Sequence, residues 1–346
     1  MFRYDAGSTI GMGHHVRCHA LASWFPNDHV SFVAGVDKKT SSVISGEAST
    51  FCLSADISVS EELEWWVAHE QGADAVIFDV SYPERVTNRE ETLHFIKRAG
   101  PSNAARIVID GIAPVALADS RDRLGVDILI LPYVMSERPI VSARVLAGPE
   151  YFTLPASWPA RRDRQHHQVQ NILITMGGAD PQGLSLRALE AAKSAAGPDC
   201  SIRVIIGSAF HPDLANAIRK SAQVDSRVGL VDCAASLLEH LLWADIAVSA
   251  TGLTKYELAW AGVPSVQISI DRKNAEMNEA FAAEQIALHL GAANDVETTA
   301  IGSAIAALTK DRLLREAMSR RGRDLVDGQG GGRIAGIIQD IVNARH

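Results

Sequence analysis

The stretch LPASWPARRDRQHHQVQNILITMGG, Leu154 to Gly178, divides the chain and decides how the rest of it reads. Its first part carries Pro155 and Pro159, the charged run Arg161 to Arg164 and the pair His166–His167, with no apolar periodicity, so it reads as a linker. Its second part is an apolar run, Asn171 to Thr175, closed by Gly177 and Gly178. A strand that ends on paired glycines before a helical segment opens a βα unit. The chain therefore restarts a folding pattern here.

Working outward, the same pattern occurs on both sides. The first half offers HVSFVAG (29–35), ADAVIFDV (73–80), ARIVIDG (105–111) and VDILILPY (126–133). The second half offers QNILITMGG (170–178), SIRVIIGS (201–208), ADIAVSA (244–250) and VPSVQISI (263–270). These runs are near-continuously apolar rather than alternating, as parallel strands covered on both faces are. Helical segments such as SLRALEAAKSAA (185–196) and ASLLEHLLWA (235–244) separate them. The rhythm predicts an α/β protein of two doubly wound parallel-sheet domains. The expected division is 1–155, a linker over 156–168, and 169–346. DGQGGGRIAGIIQDIV (327–342) reads as a glycine-rich turn feeding a last helix, a candidate to cross back to the first domain.

Composition sets outer limits. The 346 residues are 47% hydrophobic and 21% charged, as in a soluble globular protein. A formal charge of −8 with no dense basic block argues against a general nucleic-acid binder. No apolar run approaches the ~20 residues that span a bilayer, and Asp5 comes too early for a signal peptide. Cys18, Cys52, Cys200 and Cys233 are scattered and read as reduced thiols, so a cytoplasmic protein is expected.

Three glycine turns stand where open α/β sheets take ligands, beyond the carboxyl ends of strands. The first is FRYDAGSTIGMGHHVR (2–17), read as strand, loop and helix. His14 or His15 would project from the first helical turn, where the positive end of the helix dipole favours a neutral, proton-accepting imidazole. A tight structural turn is the plainer reading of Gly11 and Gly13. His15 and His19 share one helix face, but no carboxylate at ligand spacing accompanies them, so a metal is not expected. The second turn is TMGGADPQG (175–183), in which Asp180 and Pro181 suggest an N-cap and a first-turn proline. It reads either as a well-capped helix or as a backbone nest at Gly177 and Gly178 that a ligand approaches. The third is SATGLTKYELAWAGVPS (249–265). Its Thr251–Gly252–Leu253–Thr254 turn opens a helix and makes an anion site suited to a diphosphate. Glu257, about one turn on, is placed either to accept from vicinal ribose hydroxyls or to sit on the surface near the positive helix end.

That third turn resembles the nucleotide-sugar signature of GT-B fold enzymes related to the peptidoglycan N-acetylglucosaminyl transferase. DAGSTIGMGHHVRC (5–18) more narrowly resembles the UDP-2,4-diacetamido-2,4,6-trideoxy-β-L-altropyranose hydrolases of pseudaminic acid biosynthesis and their spore-coat polysaccharide relatives. IFDVSYPE (77–84), VIDGIA (108–113), LAGPEYFTLP (146–155), TMGGADPQ (175–182) and VDGQGGGRI (326–334) match the same pattern in order, so the resemblance covers essentially the whole chain. In SIDRKNAEMN (269–278), Ala275 stands where the family has Gln after Asn274, and SATGLT is not a full glycine–serine turn.

The resemblance implies a GT-B-like fold, two Rossmann-like domains facing across a cleft, and hydrolysis of a UDP-linked amino-deoxy sugar to UDP and free sugar. It implies His14 as general base toward a water at the anomeric carbon. It places Gly13, Arg17, Asp79, Tyr82 and Asn274 at the substrate. Gly177, Gly178, Thr251, Gly252, Leu253, Thr254 and Glu257 would hold the nucleotide and its diphosphate. No cofactor or metal enters this scheme. The alternatives are a GT-B glycosyltransferase with a UDP-sugar donor, and a sugar-nucleotide-sensing regulator. For the transferase, LASWFPNDHV (21–30), with Trp24 and Phe25, is the candidate acceptor patch.

Overall fold

The computed structural model describes residues 1–7, 11–46, 49–69, 72–80, 89–109, 125–135, 144–160, 168–234 and 236–345. Tyr82 and Asp110 lie outside the described residues, as does most of the stretch read as a linker. The chain divides into two compact units, Met1–Ser157 with Gly328–His346, and Trp158–Asp327.

The first unit is built in chain order from β1 (Phe2–Ala6), α1 (Gly13–Ala22), β2 (Phe32–Val36), α2 (Lys38–Ile44), β3 (Thr50–Ser54), α3 (Val59–Ala68), β4 (Ala75–Asp79), α4 (Arg89–Arg98), β5 (Ala105–Ile109), β6 (Ile128–Leu131) and β7 (Arg144–Ala147). Among the described residues its sheet has seven strands in the order β3-β2-β1-β4-β5-β6-β7, all parallel. Side chains alternate across it even though both faces are buried. Tyr4, Ile77, Ile107 and Ile130 join one core with Leu21 of α1, whereas Val76, Phe78, Val108 and Leu129 join the other with Trp66 of α3 and Ile96 of α4. Helices on both faces make this a doubly wound sheet.

The second unit contains β8 (Asn171–Thr175), α5 (Leu184–Ala195), β9 (Ser201–Ile206), α6 (Pro212–Gln223), β10 (Val228–Asp232), α7 (Leu238–Trp243), β11 (Ile246–Ala250), α8 (Thr254–Ala261), β12 (Ser265–Ser269), α9 (Arg272–Met277), α10 (Glu279–Ala283), β13 (Ala287–Ala292), α11 (Thr298–Lys310) and α12 (Arg312–Leu325). Among the described residues its six parallel strands run β10-β9-β8-β11-β12-β13. Ile174, Val204, Val248 and Val266 pack beneath α5 and α11; Leu173 and Ala247 pack against α7 and α8.

The last helix, α13 (Gly330–Asn343), belongs to the first unit and buries Ile334, Ala335 and Ile338 in the same core as α1. Its glycines lie in the helix itself. A Cβ on Gly330 would stand 2.3 Å from the Phe152 carbonyl oxygen, and one on Gly331 would stand 2.3 Å from Trp24 Nε1. That ring nitrogen donates to the Leu154 carbonyl at 2.7 Å. Trp24 and Phe25 are thereby taken into the first unit's core, and the expected acceptor patch of the transferase reading is absent at these two residues. The reason is the close approach that a side-chain-free helix turn allows.

Candidate functional site

Each sheet reverses its strand order once, between β1 and β4 in the first unit and between β8 and β11 in the second. At such a point the loops at the carboxyl ends diverge and leave a crevice. The three glycine turns singled out in the sequence follow β1, β8 and β11.

In the first unit, Gly7 and Gly11 exchange two backbone hydrogen bonds, at 2.7 and 3.2 Å, which close the loop after β1. Gly11 has φ of +84°, a conformation that favours glycine. Gly13 then begins α1, and this sets the phase of the histidines. His14 turns toward β4, and its Nδ1 lies 2.6 Å from Asp79 Oδ1. His15 turns toward β1, with Nδ1 3.0 Å from the Tyr4 hydroxyl and its ring 4.3 Å from that of His19. Successive helical residues diverge by about 100°.

Asp79, the last residue of β4, is fully buried. Besides His14 it accepts from Arg17 Nε at 2.7 Å and from Arg17 Nη2 at 2.5 Å, while Cys18 Sγ lies 3.8 Å from Oδ2. Burial alone would raise its pKa, but the Arg17 charge and the hydrogen bonds from His14 and Arg17 outweigh it and hold Asp79 at about 2. Burial likewise works against the Arg17 charge, which Asp79 more than restores. Arg17 also donates to the Tyr133 hydroxyl. An ionised carboxylate fixes the proton of His14 on Nδ1 and leaves Nε2 with the lone pair. The ring is 19% exposed. Asp79, expected at the substrate, thus spends its oxygens on His14 and Arg17, and Arg17 is turned inward with it. Tyr133 carries no signal in the sequence beyond its place at the end of VDILILPY.

In the second unit, Gly177 has φ of +79°, and nothing lies within 4 Å of a Cβ built on Gly177, Gly178 or Gly252. The capping differs from expectation. Gly183, in left-handed conformation, holds the N-cap position of α5, and Asp180 reaches the amides of Leu184 and Ser185 at 2.9 and 2.7 Å from three residues further back. A turn over Asp180–Gly183 delays the helix, so Pro181 is outside it. After β11, Thr251 and Leu253 lead into α8. Thr251 Oγ1 lies 3.0 Å from Ser269 Oγ, which lies 3.0 Å from His289 Nε2. Thr254 opens α8, and Glu257 on its first turn is half-buried. Burial pushes Glu257 up to about 7, with a Thr254 hydrogen bond opposing. Asn274 in α9 gives both its backbone N–H and its side-chain amide to Asp271 Oδ1, at 2.7 and 3.0 Å.

The two sheets define a GT-B-type fold, as comparison with solved structures bears out. MurG of Acinetobacter baumannii superposes over 98% of this chain and 99% of its own, with a TM-score of 0.66 at 14% identity. A UDP co-structure of MnaA from S. aureus gives 0.63 at 12% identity, covering 99% and 96%. No protein-family model matches the chain. Among curated proteins, the spore coat polysaccharide biosynthesis protein SpsG of Bacillus subtilis is 29% identical over 204 residues, 58% of this chain and 59% of SpsG. An uncharacterized protein of Methanocaldococcus jannaschii is 27% identical over 103 residues, 30% of this chain and 21% of that protein. The chain thus matches less than two thirds of the length of either relative. Among the described residues, no helix is long and apolar enough to cross a membrane.

Proposed function

We propose that the protein hydrolyses a UDP-linked amino-deoxy sugar, releasing UDP and the free sugar, in the biosynthesis of a surface polysaccharide or nonulosonic acid. The observation that carries this reading is the His14–Asp79 pair: a buried carboxylate on Nδ1 of a partly exposed imidazole at the carboxyl end of the switch strands. It is the arrangement by which a histidine is kept in the tautomer that can accept a proton. His14 Nε2 takes the proton of a water whose oxygen bonds to the anomeric carbon. The bond from that carbon to the diphosphate oxygen breaks, and its electron pair leaves with UDP. Arg17 and Asp79 orient the base and do not touch the substrate.

The second unit holds the nucleotide. The turn from Thr251 to Thr254 offers backbone amides and the positive end of α8 to the diphosphate, which eases its departure. Gly177 and Gly178 leave room for close approach, and Glu257 accepts from the ribose. Asn274, with Tyr82, serves the sugar. SpsG by its name and MnaA by its bound UDP support the polysaccharide and nucleotide parts of this reading.

The test is to incubate the protein with a panel of nucleotide sugars and no acceptor and to follow nucleotide release. Release by the wild type, cut at least ~10²-fold in His14→Ala with nucleotide affinity retained, supports a hydrolase with His14 as base. His15→Ala should cost far less. Release only after an acceptor is supplied would make the protein a transferase.

A further inference from the structure

Lys255, the second residue of α8, is placed where a cation is costly. The residue is 6% exposed, and it sits at the positive end of a helix. Its Nζ lies 4.7 Å from the Phe281 ring centroid and 5.1 Å from that of Tyr256. Among the described residues no carboxylate pairs with it, and burial pushes it down to about 7. The hydrogen bond it makes is to a neutral group: Nζ donates to Asn278 Oδ1.

Asn278 is itself buried, and its amide passes the connection on. Nδ2 donates to the Asn274 carbonyl at 2.6 Å, and the Asn278 backbone N–H reaches the same oxygen at 3.1 Å. Asp271 holds Asn274 from the other end of α9. A six-residue helix has little stability of its own, so these tethers set where α9 stands. It comes directly after β12, at the carboxyl end where this kind of sheet receives ligands.

We propose that Lys255 and Asn278 are a positioning pair that fixes α9, and Asn274 on it, against the first turn of α8, and so sets recognition of the glycosyl portion of a nucleotide sugar. This rests on the nucleotide-sugar reading above. The lysine is an expensive way to hold a helix, because an apolar side chain in the same place would carry no desolvation penalty. Its role is therefore specificity rather than stability.

The experiment compares full-length wild type with Lys255→Met and Asn278→Asp. The second variant keeps an acceptor for Lys255 but loses the amide donor to Asn274. Titration calorimetry with UDP and with UDP-N-acetylglucosamine should show UDP affinity within about threefold of wild type. The ratio of the two dissociation constants should shift about tenfold in both variants, the scale of one lost hydrogen bond. The melting temperature of Lys255→Met should hold or rise, which a purely structural lysine would not allow. An unchanged ratio, or equal loss for both ligands with a lower melting temperature, overturns the proposal. Amide exchange over residues 272–278 gives a readout independent of ligand, and it should quicken in both variants. If the wild type binds neither compound, the nucleotide-sugar reading fails; unchanged exchange would then overturn the tether on its own.

Discussion

Asp79 and Glu257 are both carboxylates beside the switch points, and their surroundings drive them in opposite directions. Asp79 is surrounded by donors and stays ionised; Glu257 has no cationic partner among the described residues, and burial raises it to about 7. If Glu257 accepts from ribose hydroxyls, the nucleotide binds its ionised form, so affinity should fall as pH drops below about 7. The comparison is made against Glu257→Gln, which keeps every other titrating group. Titration with UDP at pH 8 and pH 6 should show weakening in the wild type that the variant lacks, and the variant should bind about tenfold or more weakly at pH 8. A second pH effect concerns folding. Burial, helped by the neighbouring His15, lowers His19 from its ordinary 6.5 to about 4, and its ring stacks on Phe32 at 4.1 Å. The unfolded chain then takes up that proton more readily, so stability is full above pH 6.5 and lost on the way down to about 4. The loss should be roughly 2–3 kcal/mol. Chemical denaturation across this window should show a shallower decline in His19→Leu. Most residues of the His14 cluster are visible in sequence motifs, but not who touches whom. His14 and Asp79 are 65 positions apart, Arg17 and Tyr133 are 116 apart, and parallel pairing of distant strands is what joins them.

Among the elements, legibility tracks burial. The central strands β2, β4, β5, β6, β8, β9, β11 and β12 are covered on both faces and read as apolar runs, whereas the central β1, with Arg3 and Asp5 in a buried ion pair, is read only from the glycine turn after it. A search for such runs also passes over β3, β7, β10 and β13, and these are the four strands at the sheet edges. Their residues are largely half-exposed, so TFCLS, RVLA, VGLVD and ALHLGA mix polar and small side chains. The same contrast between crowded and open positions separates two glycines of α13. Gly330→Ala would drive a methyl into the Phe152 backbone and should cost about 1–3 kcal/mol or more. Gly336 has nothing within 4 Å, and Gly336→Ala should gain roughly 0.5–1 kcal/mol from helix propensity. Denaturant midpoints of the two variants should move in opposite directions; movement the same way would mean that α13 does not pack as described.

At the scale of the whole molecule, the two units differ in how the chain makes them. The second is one uninterrupted segment with its own core on both faces of its sheet. Residues 158–327 expressed alone should melt cooperatively and bind UDP with affinity close to that of the full chain. Circular dichroism and calorimetry check this, and a segment that folds but fails to bind would place part of the nucleotide site elsewhere. The division itself is partly legible, because prolines and charges mark the stretch after Leu154. That α13 completes the first unit is open to sequence reading only as a candidate. Its glycines look like a turn until their neighbours are known, since what they accommodate, Trp24 and Phe152, lies far away in the chain.

The discontinuity of the first unit also constrains the order of events on the ribosome. The strands from Phe2 to Ala147 emerge early, yet α13, which completes the cover that α1 begins over the Tyr4 and Ile107 face, is translated only after all of residues 158–327. Until then the part of that face beneath Ile334 and Ile338 is open to solvent or to transient chaperone cover, while the later unit is already free to fold. Nascent chains released short of α13 should therefore be the aggregation-prone species, with the second unit's fold complete within them.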